Sequence, residues 1–329
     1  MTPSEAGAPA QSPDPAPAAR PLLPILAILL TVLMWASTFV IMRWSAPDIS
    51  PGPLALLRLL AGSATLTLLV LWARRGRPSL PRGRGLALTV AFGVIWFAVY
   101  TLVFNWAGHF LDAGTVAMVV NLAPLMVGVG AVLLFKEAFS RKLFLGMLIS
   151  LSGIGFITAA GSTGQLAMAG LLIAFAAAVL YAAGMMVQKL ALREVDPLTA
   201  TWLGCVSGSL ALLPFLGQTA AELSEVTAGT ILGAVYMGIG PSALGFWFWG
   251  YAMNHFPTGR VASATLAVPA VVVVMSALTL QEIPPPLAIL GGAICLAGVA
   301  VAQLRRPPRV RGRRLSGRAD TPPRAEPSL

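Results

Sequence analysis

Residues 114–153 read GTVAMVVNLAPLMVGVGAVLLFKEAFSRKLFLGMLISLSG. An apolar run with Pro124 inside it ends at Glu137, turns through Arg141 and Lys142, and resumes as a second apolar run holding Gly146 and Gly153. The same order returns at residues 259–298, GRVASATLAVPAVVVVMSALTLQEIPPPLAILGGAICLAG. Ala117 answers to Ala262, Pro124 to Pro269, Glu137 to Glu282, Gly146 to Gly291 and Gly153 to Gly298, each pair 145 residues apart. Working outward, His109-Phe110 and His255-Phe256 match at 146, as do Trp35-Ala36 with Tyr181-Ala182 and Arg43 with Lys189. Apolar sequence inflates chance matches, but the chain has only 2 His, and both fall into this register. A fixed offset over so many positions is the signature of an internal duplication.

What solvent this duplicated chain lives in follows from composition. Of 329 residues, 57% are hydrophobic and 10% charged, and the mean hydropathy is +0.81. Soluble domains carry about 25% charged residues, so a single water-soluble core is excluded. A disordered chain, which needs low hydrophobicity, is excluded too. The net charge of +10 would suggest nucleic acid in a soluble protein. Here the basic residues cluster beside apolar runs, eight of them after residue 304, so no nucleic-acid partner is expected. Cys205 and Cys295 lie in apolar runs and offer no metal spacing or disulfide framework. Residues 1–20 are rich in Ala and Pro and lack the apolar core of a cleavable signal.

Windows of about 19 residues give ten spans: Leu22–Met42, Pro53–Ala73, Gly85–Ala107, Ala113–Phe135, Leu143–Ala160, Ala167–Val187, Leu198–Gly217, Thr230–Met253, Arg260–Leu280 and Pro286–Leu304. With the N-terminus in the cytoplasm, 20 of the 22 basic residues fall on the cytoplasmic side, leaving Arg43 outside and Arg58 within a span. Five spans per half is an odd number, so the second half enters the membrane the other way up. The expected fold is an all-α polytopic membrane protein. Its ten transmembrane helices form two inverted five-helix repeats, with both termini cytoplasmic. The halves cover residues 21–161 and 162–304, between a Pro/Ala-rich disordered tail (1–20) and a basic tail (305–329). Many secondary transporters are built this way, and two pseudo-symmetric halves can open alternately to either side.

These residues resemble a known family. Ala123-Pro124-Leu125, Phe135-Lys136-Glu137-Ala138, Gly146 and Gly153 form one copy of the pattern; Val268-Pro269-Ala270, Gln281-Glu282, Gly291 and Gly298 form the other. Together with Trp35-Ala36-Ser37 and Arg58, they resemble the EamA-type transporters of the drug/metabolite transporter superfamily over residues 22–304. Pro284-Pro285-Pro286 replaces the basic turn of the first copy, a departure that bears on loop shape. The resemblance implies ten helices, cytoplasmic ends and export of small metabolites across the plasma (inner) membrane.

Candidate site residues follow from what hydrocarbon tolerates. Pro124 and Pro269 read as mid-helix prolines that free a backbone carbonyl and kink the span, so they are candidate hinges beside a cavity. Arg58 is the one charge well inside a span; such charges mark functional sites, although this one lies close enough to its helix start to snorkel or to pair with Asp48. Trp96, Tyr100 and Phe104 share a helix face at spacing four, and Tyr236 and Trp247 mark the eighth span. Rings there suit stacking on a planar or apolar solute, while tryptophans near span ends also form interfacial belts. Asn121 needs a partner in hydrocarbon, either a substrate or a neighbouring helix. The candidate substrate contacts are Trp35, Thr38, Arg58, Tyr100, Asn121, Tyr236 and Trp247.

No Asp or Glu lies in the middle of a span, so a buried carboxylate proton relay is unsupported and facilitated or exchange transport is expected. Too few basic residues lie at mid-membrane for a phosphate-rich cargo. No catalytic residues, metal or cofactor are expected; a lipid-modifying membrane enzyme or a passive channel are the alternatives to a secondary transporter. The partners expected are a small-molecule substrate and the bilayer, with the oligomeric state left open.

Overall fold

A computed structural model describes residues 22–75, 80–135, 141–160, 165–256, 261 and 264–303; Glu137 and both tails lie outside them. The described residues form helices and no strands. We number the helices α1 (Leu22–Ser45), α2 (Pro51–Ala73), α3 (Gly83–Ala107), α4 (Ala113–Val120), α5 (Ala123–Phe135), α6 (Arg141–Ala160), α7 (Gln165–Ala191), α8 (Pro197–Ala211), α9 (Leu216–Glu222), α10 (Ala228–His255), α11 (Val268–Thr279) and α12 (Pro286–Gln303). The described parts of the expected spans lie largely in these helices, while Arg260 and Leu304, at the edges of two of the spans, lie outside the described residues.

Length separates these helices. Among the described residues, six stretches are long and apolar enough to cross a bilayer: α1, α2, α3, Ala113–Gly130, Met168–Ala191 and α10. The α8–α9 pair makes a seventh if taken as one span bent by 46°; Pro214 lies in the tight turn Leu213–Phe215 between them. Shorter apolar stretches lie in α6 (Phe144–Ile157), in α11 with the tight turn before it (Thr265–Thr279) and in α12 (Pro286–Val301). The protein is a polytopic, multi-pass membrane protein.

Helix starts are written locally. Asp112, Asp196 and Thr227 accept from the backbone N–H three residues on, capping α4, α8 and α10. Pro51 and Pro197 stand at first helical positions, where a missing N–H costs nothing. Outward faces are apolar: Leu22, Leu26, Leu29 and Leu33 form an exposed stripe along α1, while Thr31 and Ala36 are buried. Trp72 and Leu278 are each 78% exposed. A surface of this kind is solvated by lipid rather than water.

Packing crosses between the two halves of the chain. Helix α1 packs on α10 and α11, and α7 packs correspondingly on α3 and α5; α2 packs on α10, and α8 on α3. Two pairs, α2 with α8 and α6 with α12, meet through residues at the repeat offset. Ser63 Oγ lies 2.8 Å from Ser209 Oγ, and the Cys205 thiol donates to the Leu59 carbonyl, both at offset 146. Ser150 Oγ donates to the Cys295 carbonyl at 3.0 Å, and the Cys295 thiol returns a bond to the Ser150 carbonyl at 3.3 Å. Along both pairs, contacts run in opposite chain order: Thr67 meets Trp202 and Arg74 meets Asp196, while Gly153 meets Gly291 and Gly146 meets Gly298. Both pairs are therefore antiparallel. At Gly153 a Cβ would stand 2.5 Å from the Gly291 carbonyl oxygen, so only glycine permits this approach.

The loops sort to two ends. At one, Arg43 binds Glu282 and the Gly108 carbonyl, Asp48 accepts from Thr227 and Thr230, and Ser50 N donates to Glu222. At the other, Arg74 binds Asp196 and Arg84 lies 3.5 Å from Glu194. Burial alone would raise the Asp196 pKa, but hydrogen bonds from Thr199 and the Arg74 guanidinium outweigh it and hold the carboxyl below its ordinary value.

Candidate functional site

Two helices widen where they face the interior. Helix α3 opens into wide π turns over Gly93–Tyr100 and α10 over Gly238–Leu244, and the two segments begin 145 residues apart. Such turns are infrequent and recur at functional sites. Close glycine contacts place them: a Cβ on Gly238 would press on the Arg58 carbonyl and Gly62 N, and one on Gly93 would press on the Gly204 carbonyl. Helix α10 thereby packs on α2, and α3 on α8.

In α10 the widening has a chemical cause. Pro241 lacks the N–H that would serve the Met237 carbonyl, and the Ser242 hydroxyl donates to that carbonyl instead, at 2.9 Å. Ser242 Oγ accepts in turn from Arg58 Nε at 3.2 Å. Arg58 Nη1 is buried without a hydrogen-bond partner. The electrostatic neighbours of Arg58 are Tyr100 and Cys205. Arg58 does not pair with Asp48, as the sequence allowed: Asp48 Oδ2 is taken by the Thr230 and Thr227 hydroxyls at 2.8 and 3.2 Å. A guanidinium bound through Nε to α10 is also held inside rather than free to snorkel.

Rings gather beside this cation. Tyr100 lies 5.4 Å from Trp96, 5.8 Å from Phe104 and 5.6 Å from Tyr181, and Trp96 lies 4.4 Å from Tyr181. Trp35 donates through Nε1 to the Pro241 carbonyl at 3.3 Å and stacks near Phe246 and Trp249, at 5.7 and 5.0 Å. The Tyr236 hydroxyl bonds Ser37 Oγ at 2.9 Å. Arg58, Tyr100, Trp35 and Tyr236 thus converge around the π turns of α3 and α10.

The remaining expected residues stand apart. The Thr38 hydroxyl donates to Met34 O at 3.2 Å and the Asn121 amide to Ala117 O at 2.9 Å, each within its own helix. Trp247 is 53% exposed, with Phe248 as its ring neighbour. Pro124 and Pro269 are not mid-helix. Helix α4 ends at Asn121, and Pro124 is the second residue of α5; Pro269 is the second residue of α11, after the tight turn Thr265–Ala267. First-turn N–H groups have no intrahelical acceptor, so neither proline breaks a hydrogen bond. The interruption precedes each proline. Sequence reasoning also missed Ser242 and Pro241, and named Ser37 only within the Trp35-Ala36-Ser37 resemblance. Only the offset of 145, applied to Gly93 and Gly238, points at that region.

His109 Nε2 is buried without a hydrogen-bond partner. Burial, and then repulsion by Arg43, hold this imidazole below its ordinary pKa. His255 Nδ1 lies 2.9 Å from the Tyr251 carbonyl on an exposed surface. Among the described residues no group of His, Cys, Asp and Glu is placed to hold a metal ion.

Proteins similar to this one in sequence carry transporter names. The chain is 29% identical over 283 residues to a protein of Streptantibioticus cattleyicolor named "Probable terminal-alkyne amino-acid exporter", covering 85% of this chain and 93% of that one. It is 26% identical over 300 residues to a "Probable amino-acid metabolite efflux pump" of Salmonella typhimurium, covering 86% and 97%. A Bacillus subtilis protein named only as an uncharacterized transporter is 26% identical, covering 84% and 89%. One solved crystal structure superposes with a TM-score of 0.56 at 19% identity, over 85% of this chain and 96% of that one, a likeness of fold. The EamA-like transporter family matches residues 22–159 and again residues 168–303. Matched along nearly the whole length of its helices, this chain belongs to the EamA-like transporter family and is a membrane transporter of small molecules rather than an enzyme.

Proposed function

We propose that the protein exports small neutral or zwitterionic metabolites, amino acids or amphipathic compounds, across the plasma (inner) membrane by alternating access. Its two inverted five-helix halves, residues 21–161 and 162–304, together make ten spans with both termini cytoplasmic. The observation that carries this reading is the meeting of repeat-equivalent residues across antiparallel helices, Ser63 with Ser209 and Ser150 with Cys295. A residue touches its own equivalent only beside a two-fold axis, and antiparallel partners place that axis across the helices, as inversion requires. The two separate family matches agree with it.

The cargo path runs between the π turns of α3 and α10, beside Arg58, Tyr100, Trp35 and Tyr236. Thr38, Asn121 and Trp247 are secondary candidates, and the breaks before Pro124 and Pro269 are the candidate hinges. The relatives' names, amino-acid exporter and amino-acid metabolite efflux pump, support an amino-acid cargo and an outward direction. With no carboxylate in the middle of a described helix, transport proceeds by facilitation or exchange. Inside-out vesicles bearing the protein, offered labelled neutral amino acids and amphipathic cations, are expected to accumulate or exchange at least one of them above vesicles without it. Counterflow is expected to persist when the proton gradient is dissipated. Transport of none of these compounds overturns the cargo reading.

A further inference from the structure

We infer that Arg58 is the docking point for a single carboxylate on the cargo, which restricts the substrates to monocarboxylates, α-amino acids with uncharged side chains among them. The inference rests on the transport reading of the same site and sharpens its substrate class.

Several independent features converge on it. First, Arg58 carries a full charge, and among the described residues it has no carboxylate partner. Burying one member of an ion pair alone is strongly unfavourable, and intramembrane charges persist where function needs them. Second, the guanidinium is oriented. Nε is fixed on Ser242 Oγ, and that hydroxyl is itself fixed on the Met237 carbonyl by the neighbouring Pro241. The end of the fork remains, and Nη1 there is buried and unpartnered. A carboxylate meets the two Nη donors of an arginine side by side, which gives geometry as well as charge. Third, Arg58 is alone. Its repeat equivalent, 146 residues on, is Gly204, which is packed against Phe92 and Phe97. One cation balances one anion, so a dianionic cargo would bring an unpaired negative charge into a low-dielectric site. Fourth, Tyr100 next to the cation leads into the Trp96 and Tyr181 rings. These faces suit an apolar or unsaturated side chain, and they attract an ammonium group rather than repel it.

The test uses the full chain, purified, with phenylalanine, phenylalaninamide and phenethylamine as probes; the last two lack the carboxylate. Binding is read by tryptophan fluorescence or thermal shift in detergent, and transport by counterflow in proteoliposomes. The wild type is expected to prefer phenylalanine by about 10- to 100-fold, the worth of one charge-assisted bidentate contact. Arg58→Gln is expected to abolish the preference, and Arg58→Lys to restore part of it. The wild-type preference needs no variant, so a misfolded Arg58→Gln leaves the inference exposed to refutation. Equal handling of acid and amide by the wild type, or a preference that survives Arg58→Gln, overturns it while leaving transport standing. Arg58-dependent carboxylate binding without counterflow supports the docking point and counts against the transport reading instead. No binding of any carboxylate overturns it outright.

Discussion

Pro241 brings no N–H to the α10 ladder, so the fate of the Met237 carbonyl falls to Ser242, whose hydroxyl supplies the missing donor and then accepts from Arg58. Ser242→Ala removes both bonds, leaving a buried carbonyl without that donor and an arginine without its anchor. We expect a loss of about 1–3 kcal/mol, read as a lower thermal midpoint in detergent, with Ser242→Thr recovering most of it. An unchanged midpoint for Ser242→Ala would mean that the Met237 carbonyl finds a donor elsewhere. Arg58 was legible in the sequence because charge is conspicuous in hydrocarbon. Tyr100 was legible because rings at spacing four share a face. Ser242 was not: a lone serine in an apolar helix carries no periodic or electrostatic mark, and its partner Arg58 is 184 residues away. The contact made by Asn121 was not legible either. Its amide looks like a substrate donor in a linear reading, but it bonds Ala117 O at the end of α4, and that helix end is what places Pro124 in a first turn.

Among the elements, the bond between the ends of α1 and α11 joins the two halves. Arg43 Nε lies 2.8 Å from Glu282 Oε1, and its Nη1 donates to the Gly108 carbonyl at 2.9 Å. Gln281 adopts a left-handed φ of 56° just beyond α11, a conformation that turns the chain immediately before Glu282. Both side chains are under a third exposed, at 29% and 28%. The pair should therefore exceed the 0.2–1 kcal/mol typical of exposed pairs. A double-mutant cycle of Arg43→Gln and Glu282→Gln, read by thermal midpoint, is expected to give a coupling of about 1–2 kcal/mol. Additive effects would show that the two side chains do not stabilise one another. Hydropathy located much of the helical chain, since the described parts of the expected spans are largely helical. It could not show where a span is interrupted, because a run of apolar residues has the same composition whether its backbone ladder is continuous or stops and restarts. The break at Asn121 and the 46° bend before α9 are events of hydrogen bonding and of Pro214.

For the molecule as a whole, the proposed topology rests on two counts in the sequence, the basic residues and the repeat offset, because both are properties of the chain at the scale of the bilayer. The α1–α2, α3–α4, α9–α10 and α11–α12 connections bond to one another at one end, and the α2–α3 and α7–α8 connections at the other. If ten spans alternate from a cytoplasmic N-terminus, the first group faces outward and the second faces the cytoplasm. Cysteine accessibility separates these ends without engineering away native thiols, since Cys205 and Cys295 are fully buried. Leu80, 62% exposed beside Arg82 and Arg84, and Ile283, 68% exposed after Glu282, are suitable positions. In intact cells an impermeant maleimide is expected to label Ile283→Cys and to spare Leu80→Cys and Glu137→Cys until the membrane is opened. Glu137 and Glu282 are repeat equivalents, so labelling at 137 and 283 from the same side would place both copies the same way up. An even number of crossings would then separate equivalent positions, and two halves of that kind could not exchange inward- and outward-facing conformations by symmetry.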